Sequence, residues 1–126
     1  MAFYTEKILE HARRPRKFGR VIDPDVRFEE LNPLCGDRIR VEIRLADGSR
    51  ILEARFSGEM CAIAKGSASI LFDSLEGRTV ATIGEITDAE ILESLAGPIP
   101  KNRMQCALLP ISALRSAVKS EGTGAR

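Results

Sequence analysis

The chain has 126 residues, a length that fits one domain (residues 1–126), and 44% of them are hydrophobic, enough for one core without disulfide support. Lys and Arg number 19 against 18 Asp and Glu, a net charge of +1, which argues against a general nucleic-acid or membrane-surface binder. No apolar run approaches the roughly 20 residues of a membrane span, the N-terminus shows no signal-peptide core, and three cysteines fit reduced thiols in a cytoplasmic protein better than a disulfide framework.

Taken in chain order, residues 3–13 predict an amphipathic helix, with Phe3, Tyr4, Ile8 and Leu9 on one face and Pro15 closing it. A basic loop follows, with Arg13, Arg14, Arg16, Lys17 and Arg20. It reads either as a solvated face or as a surface for an acidic partner. Val26–Glu30 predicts a short strand, and residues 32–37 a turn. The clearest local signal is next. Ile39, Val41, Ile43 and Leu45 alternate with Arg38, Arg40, Glu42 and Arg44, the period of a half-buried strand. Asp47-Gly48 predicts a hairpin turn, and residues 50–57 the return strand, with Leu52, Ala54 and Phe56 on one face.

Residues 62–76 predict a helix whose first half is unusually small: Ala62, Ala64, Gly66, Ser67, Ala68 and Ser69. Such a face lets the helix lie close against a sheet or another backbone, and Gly77 is a natural stop. Thr87 and Glu90 form the capping box of a short helix that ends near Gly97. Pro98 and Pro100 mark a loop. A last helix runs over 105–119, with Leu108, Ile111, Leu114 and Val118 inward and Pro110 in its opening turns. Residues 120–126 read as a frayed end. Strands followed by helices predict an α+β fold: a three-stranded antiparallel sheet with helices packed on one face.

Cys35, Cys61 and Cys106 are 26 and 45 positions apart, too far for a zinc ribbon, so spacing alone says little. Their settings say more. The Asp47-Gly48 turn folds Cys35 and Cys61 to the same end of the sheet. Cys61 and Cys106 each stand at a predicted helix N-terminus, where the helix dipole and unsatisfied N–H groups favour a thiolate. Thiolates bind soft metals and exchange sulfur. Asp37 offers a carboxylate two residues from Cys35. The alternative is three small buried hydrophobes. The placement of all three at loop-to-helix or loop-to-strand junctions favours a shared site. Lys65 reads as a surface lysine or a neutralising neighbour of thiolates. His11 reads as a helix-end structural residue, with an exchangeable ligand as the weaker alternative. Gly36 and Gly58 predict positive φ or close backbone approach beside the ligands.

These residues resemble the U-type iron–sulfur cluster assembly scaffold family: IscU, SufU and the N-terminal domain of NifU. The resemblance runs from about residue 7 to 119. Ile8-Leu9-Glu10-His11 through Pro15-Arg16 to Gly19 looks like the family's opening helix and loop. Asn32-Pro33-Leu34-Cys35-Gly36-Asp37 is similar to its P-x-C-G-D motif, and Phe56-Ser57-Gly58-Glu59-Met60-Cys61-Ala62-Ile63 to its F-x-G-x-G-C-x-I motif. Arg103-Met104-Gln105-Cys106-Ala107 resembles the third cysteine motif.

The resemblance implies a SufE/NifU-like fold and a site of Cys35, Asp37, Cys61 and Cys106, where all three cysteines are candidate sulfur acceptors. It implies a transient [2Fe–2S] cluster or a zinc ion there. It also implies a cysteine desulfurase as sulfur donor and apoproteins or carriers as cluster acceptors, with no nucleic-acid or membrane partner. A scaffold of this kind is not an enzyme in the strict sense; the alternative is a zinc-dependent sulfurtransferase. One hard carboxylate among thiolates eases cluster release. The departures are specific. Gln105 stands where IscU-type members carry His, and Arg103 is similar to the SufU type. Yet the interval from Cys61 to Cys106 is too short for the SufU-type insertion and resembles the IscU type. Residues 97–104 do not reproduce the Leu-Pro-Pro-Val-Lys segment offered to an Hsp70-type chaperone, so that partner is not expected. Met60 replaces the usual Gly before Cys61, and Pro110 is unexpected.

Overall fold

A computed structural model of the chain describes residues 5–33 and 36–122. The elements run α1 (Glu6–Arg13), β1 (Val26–Asn32), β2 (Asp37–Ala46), β3 (Arg50–Glu59), α2 (Ala62–Phe72), α3 (Val80–Ile83), α4 (Asp88–Ser94), a 3-10 turn (Lys101–Arg103) and α5 (Met104–Gly122). The three strands form one antiparallel sheet in the order β1-β2-β3. Phe3, Tyr4 and Cys35, all named by the sequence reading, lie outside the described residues. Among the described residues, no helix is long and apolar enough to cross a membrane.

The period-two pattern of β2 decides the layering. Ile39, Val41 and Ile43 are buried on the face that α2 and α5 cover, with Val26, Ala54, Phe56, Leu71, Phe72, Ile111 and Leu114 in the same core. The other face carries charges, among them Arg38 against Glu29 at 3.6 Å and Arg44 against Glu53 at 3.6 Å. Exposed pairs of this kind add little stability but keep the face wet. The Asp47-Gly48 turn forms as expected, both residues at positive φ (+56° and +75°), the twist that antiparallel strands need.

The return strand differs from its expected phase. Leu45 pairs with Ile51 but Arg44 pairs with Glu53, so Leu52 is an extra residue in a bulge. The bulge turns Ile51 into the core and leaves Leu52 44% exposed, while Ala54 and Phe56 keep the inward phase.

Helix α2 explains its small residues. At Gly66 a Cβ would stand 2.9 Å from the Ile8 carbonyl oxygen, so the backbone of α1 lies directly on it. Helix α2 ends at Phe72 and not at residue 76. The following segment is drawn instead to the edge of β3, where Gly77 N–H donates to Ile51 O at 2.8 Å and Val80 N–H to Ser49 O at 2.8 Å. The capping box is present, with Thr87 and Glu90 each accepting from the other's backbone N–H.

Helix α5 starts at Met104 and passes through Pro110 to Gly122, so part of the expected frayed end is helical. Its buried face is wider than expected, taking in Cys106, Ala107, Leu109, Ile111, Ala113, Leu114 and Ala117, with Leu108 and Val118 only partly buried. The helix touches both the sheet and α2, and two contacts need more than one stripe.

The basic loop is no free loop. Gly19 N–H donates to Phe56 O at 2.8 Å and Phe56 N–H to Lys17 O at 3.0 Å, which adds a short parallel bridge to the outer edge of β3. Arg16 pairs with Asp73 (3.3 Å), Lys17 with Glu76 (3.2 Å) and Arg20 with Glu42 (3.1 Å). Those cations are answered within the chain, which leaves less of the loop for an acidic partner.

Candidate metal centre

The hairpin logic puts the ligand candidates together. Asp37 opens β2, on the same face as Ile39, and Cys61 follows the end of β3, whose Glu59 pairs with Arg38. Both therefore stand at one end of the sheet. Cys61 is the N-cap residue of α2, in extended conformation (φ −69°, ψ 169°), with no side-chain capping bond. Cys106 is the third residue of α5 and fully buried. One ligand atom from each of Asp37, Cys61 and Cys106 lies within 4.8 Å of the other two. Cys35, expected as the fourth member, lies outside the described residues.

Gly58 makes this geometry possible. It sits at φ +128° opposite Ile39, and a Cβ there would lie 2.2 Å from the Arg38 carbonyl oxygen. No side chain fits that approach. Gly36 is also at positive φ (+73°), as the sequence implied. Met60, in the place of the usual Gly, packs against both hydrophobic clusters, one of which contains Ile8, Ile63, Leu95 and Cys106.

Asp37 is 3% exposed. Its Oδ1 accepts the Cys61 N–H at 2.9 Å. Its Oδ2 is buried and has no hydrogen-bond partner among the described residues. A buried carboxylate oxygen left in that state is costly unless a cation or donor arrives. A carboxylate with two sulfurs suits zinc or an iron–sulfur unit, and the donor set fits either. A tetrahedral ion with thiolate bonds places donor atoms about 3.8 Å apart, so a group within 4.8 Å needs only a small contraction.

The surroundings sort the remaining candidates. Arg103 Nη1 lies 4.0 Å from Cys106 Sγ, a positive charge beside a sulfur that is negative when it binds metal. Gln105 is exposed and lines a surface groove with Pro33, Leu108 and Ser112. Lys65 lies over the Phe18 ring, 5.5 Å from its centroid. His11 Nδ1 is 2.7 Å from Ser69 Oγ, which also accepts the Arg16 N–H at 2.7 Å. The Ser69 hydroxyl proton is thus directed to Nδ1, and burial together with the Arg16 charge holds the His11 pKa below its ordinary 6.5. That is a neutral structural histidine joining α1 to α2. Behind the site, Ser67 Oγ donates to Ala107 O at 2.7 Å, tying α2 to α5. Pro110 removes the helical N–H that would bond the Cys106 carbonyl. The sequence reading missed the Asp37 bond to the Cys61 amide. Its only signal was an Asp that the hairpin folds beside a helix N-terminus, where a carboxylate is favoured.

The sequence profile of the NifU-like N terminal domain matches residues 3–121. The chain belongs to that family. It is 33% identical over 115 residues to the iron–sulfur cluster assembly scaffold protein IscU 1 of Archaeoglobus fulgidus, covering 91% of this chain and 74% of that protein. It is also 32% identical to the zinc-dependent sulfurtransferase SufU of Bacillus subtilis, covering 96% of this chain and 92% of that one. That alignment spans 139 positions, more than this chain's 126 residues, so the SufU protein carries residues that this chain lacks. Among solved structures, a NifU-like protein (N-terminal) from Brucella abortus superposes with a TM-score of 0.80 at 21% identity, over 98% of this chain and 96% of that one, which bears out the fold.

Proposed function

We propose that the chain is an iron–sulfur cluster assembly scaffold that builds a transient [2Fe–2S] cluster on Cys35, Asp37, Cys61 and Cys106 and passes it to apoprotein or carrier acceptors. Iron and sulfur are its substrates, and a cysteine desulfurase supplies the sulfur as persulfide, in the reducing conditions of a cytoplasm. The observation that carries this reading is the meeting of the Asp37 carboxylate with the Cys61 and Cys106 sulfurs, within 4.8 Å of one another, and a buried Asp37 oxygen has no hydrogen-bond partner among the described residues. Family membership and the likeness to IscU support it. The chain's own residues do three things. Asp37 and the cysteines hold the cargo, Arg103 offsets charge at Cys106, and the α1–α2–α5 packing fixes the two helix starts.

A second reading has specific support. Gln105 in place of His, Arg103 beside Cys106, and the likeness to SufU favour a resident zinc with one thiol taking up sulfur by exchange. The short interval from Cys61 to Cys106 favours the scaffold. Anaerobic incubation with ferrous iron, cysteine and a desulfurase, followed by addition of an apo-ferredoxin, separates the two. The scaffold reading expects visible [2Fe–2S] absorption on this chain that then moves to the ferredoxin. Retained zinc with sulfane sulfur and no transferable chromophore establishes the relay instead.

A further inference from the structure

We propose that Asp37 divides its two oxygens between two tasks: Oδ1 holds the Cys61 amide so that the site is laid out before metal arrives, and Oδ2 alone binds the metal. The second task rests on the metal-centre reading above; the first does not. Cys61 is the N-cap residue of α2, so its N–H stands where the chain passes from β3 into the helix. The bond from that N–H to Oδ1, at 2.9 Å, crosses 24 residues of sequence and joins the two ligand loops directly. Oδ2 is buried with no hydrogen-bond partner among the described residues, so it is the oxygen left available to a cation. A carboxylate that bound metal through both oxygens would compete with the Cys61 N–H for Oδ1. A carboxylate that binds through Oδ2 leaves that bond standing through loading and release. Asp37 is therefore a positioning residue for Cys61 as well as a ligand. The distance between the two loops is set by the protein, not by its cargo.

Two substitutions separate the tasks. Asp37→Asn keeps an oxygen acceptor for the Cys61 N–H and replaces the metal-facing oxygen with an amide NH2. Asp37→Ala removes both. In the metal-free chain, hydrogen exchange at the Cys61 amide is expected to stay within about threefold of the unsubstituted chain in Asp37→Asn and to rise about tenfold or more in Asp37→Ala. Co(II) titration, read by thiolate charge-transfer absorption, is expected to weaken about ten- to a hundredfold in both. Loading the unsubstituted chain with Zn(II) is expected to leave the Cys61 amide protected.

Equal exchange in the Asn and Ala variants overturns the tether, as does faster exchange on Zn(II) loading. Unchanged Co(II) affinity in Asp37→Asn overturns the ligand role of Oδ2. If the unsubstituted chain shows no thiolate–Co(II) absorption at all, the metal-centre reading itself has failed, and the exchange results on metal-free protein still decide the tether. Should Asp37→Ala not fold, the unsubstituted metal-free chain decides by itself: a Cys61 amide that exchanges like an exposed loop amide overturns the proposal.

Discussion

Two carboxylates on β2 are buried to nearly the same degree and are treated in opposite ways. Glu42, mid-strand, is 1% exposed and faces the segment after α1. Its Oε1 accepts the Val21 N–H at 2.9 Å, both oxygens lie within 3.2 Å of Arg20 Nε, and Arg40 stands 3.9 Å away. Asp37, at the strand's end, is 3% exposed and has one oxygen occupied and the other without a hydrogen-bond partner among the described residues. Burial alone pushes a carboxyl toward its neutral form. At Glu42 the Val21 N–H and the Arg20 guanidinium outweigh that, and its pKa is held below the ordinary 4.5. The closed carboxylate fastens chain to sheet. The open one leaves an oxygen that no described residue answers.

Substitutions sharpen or break this contrast. The largest effect is expected where both carboxylates share a frame. Gly58→Ala forces a Cβ against the Arg38 carbonyl between β2 and β3, so denaturant unfolding should show a loss of more than about 3 kcal/mol, or no folded protein. Next, Glu42→Gln is expected to cost about 2 kcal/mol at neutral pH, because it turns an amide toward Arg20 and weakens a buried network. The pH dependence should follow. A carboxylate with a depressed folded pKa adds stability above its unfolded value of 4.5 and loses it as the pH falls through the lower folded value. Glu42→Gln should therefore flatten the acid limb below pH 4.5.

His11 has the same proton preference over a higher pH range. Its folded pKa is lowered, so the unfolded chain binds the proton first, and stability declines as the pH falls below 6.5. His11→Asn, which keeps an acceptor for Ser69, should remove that decline, an effect of about 1 kcal/mol or less in unfolding compared across that range. The smallest change is expected at the open carboxylate. Asp37→Asn should leave the metal-free protein as stable as before or up to about 1 kcal/mol more so, since it removes a buried charge with an unanswered oxygen. Equal losses in Glu42→Gln and Asp37→Asn would erase the contrast.

How much of this was legible beforehand follows from the range of the interactions. The β2 alternation, the Asp47-Gly48 turn, the Thr87–Glu90 box and the placing of Cys61 and Cys106 at helix starts are local patterns, and they stood in the sequence. Glu42 did not. Its position in an alternating strand reads as solvent-facing, and only the return of Arg20 and Val21 across the sheet buries it. The Leu52 bulge escaped because alternation gives the phase of a strand but no sign of an inserted residue. The end of α2 at Phe72 is decided by the edge of β3, which accepts residues 77–80. Asp37 was legible as a ligand candidate through its motif, but the division of its oxygens depends on the distance from β2 to the start of α2, which no local pattern carries.

A native mass spectrum of the anaerobically purified chain tests most directly whether Cys35, Asp37, Cys61 and Cys106 hold an iron–sulfur unit. The chain is recorded before and after incubation with ferrous iron, cysteine and a cysteine desulfurase, beside Cys61→Ser and Cys106→Ser. A gain of two irons and two sulfides is expected on the unsubstituted chain, and no such species on either variant. A single zinc that persists through the incubation, or the same iron and sulfide gain on both variants, would contradict it.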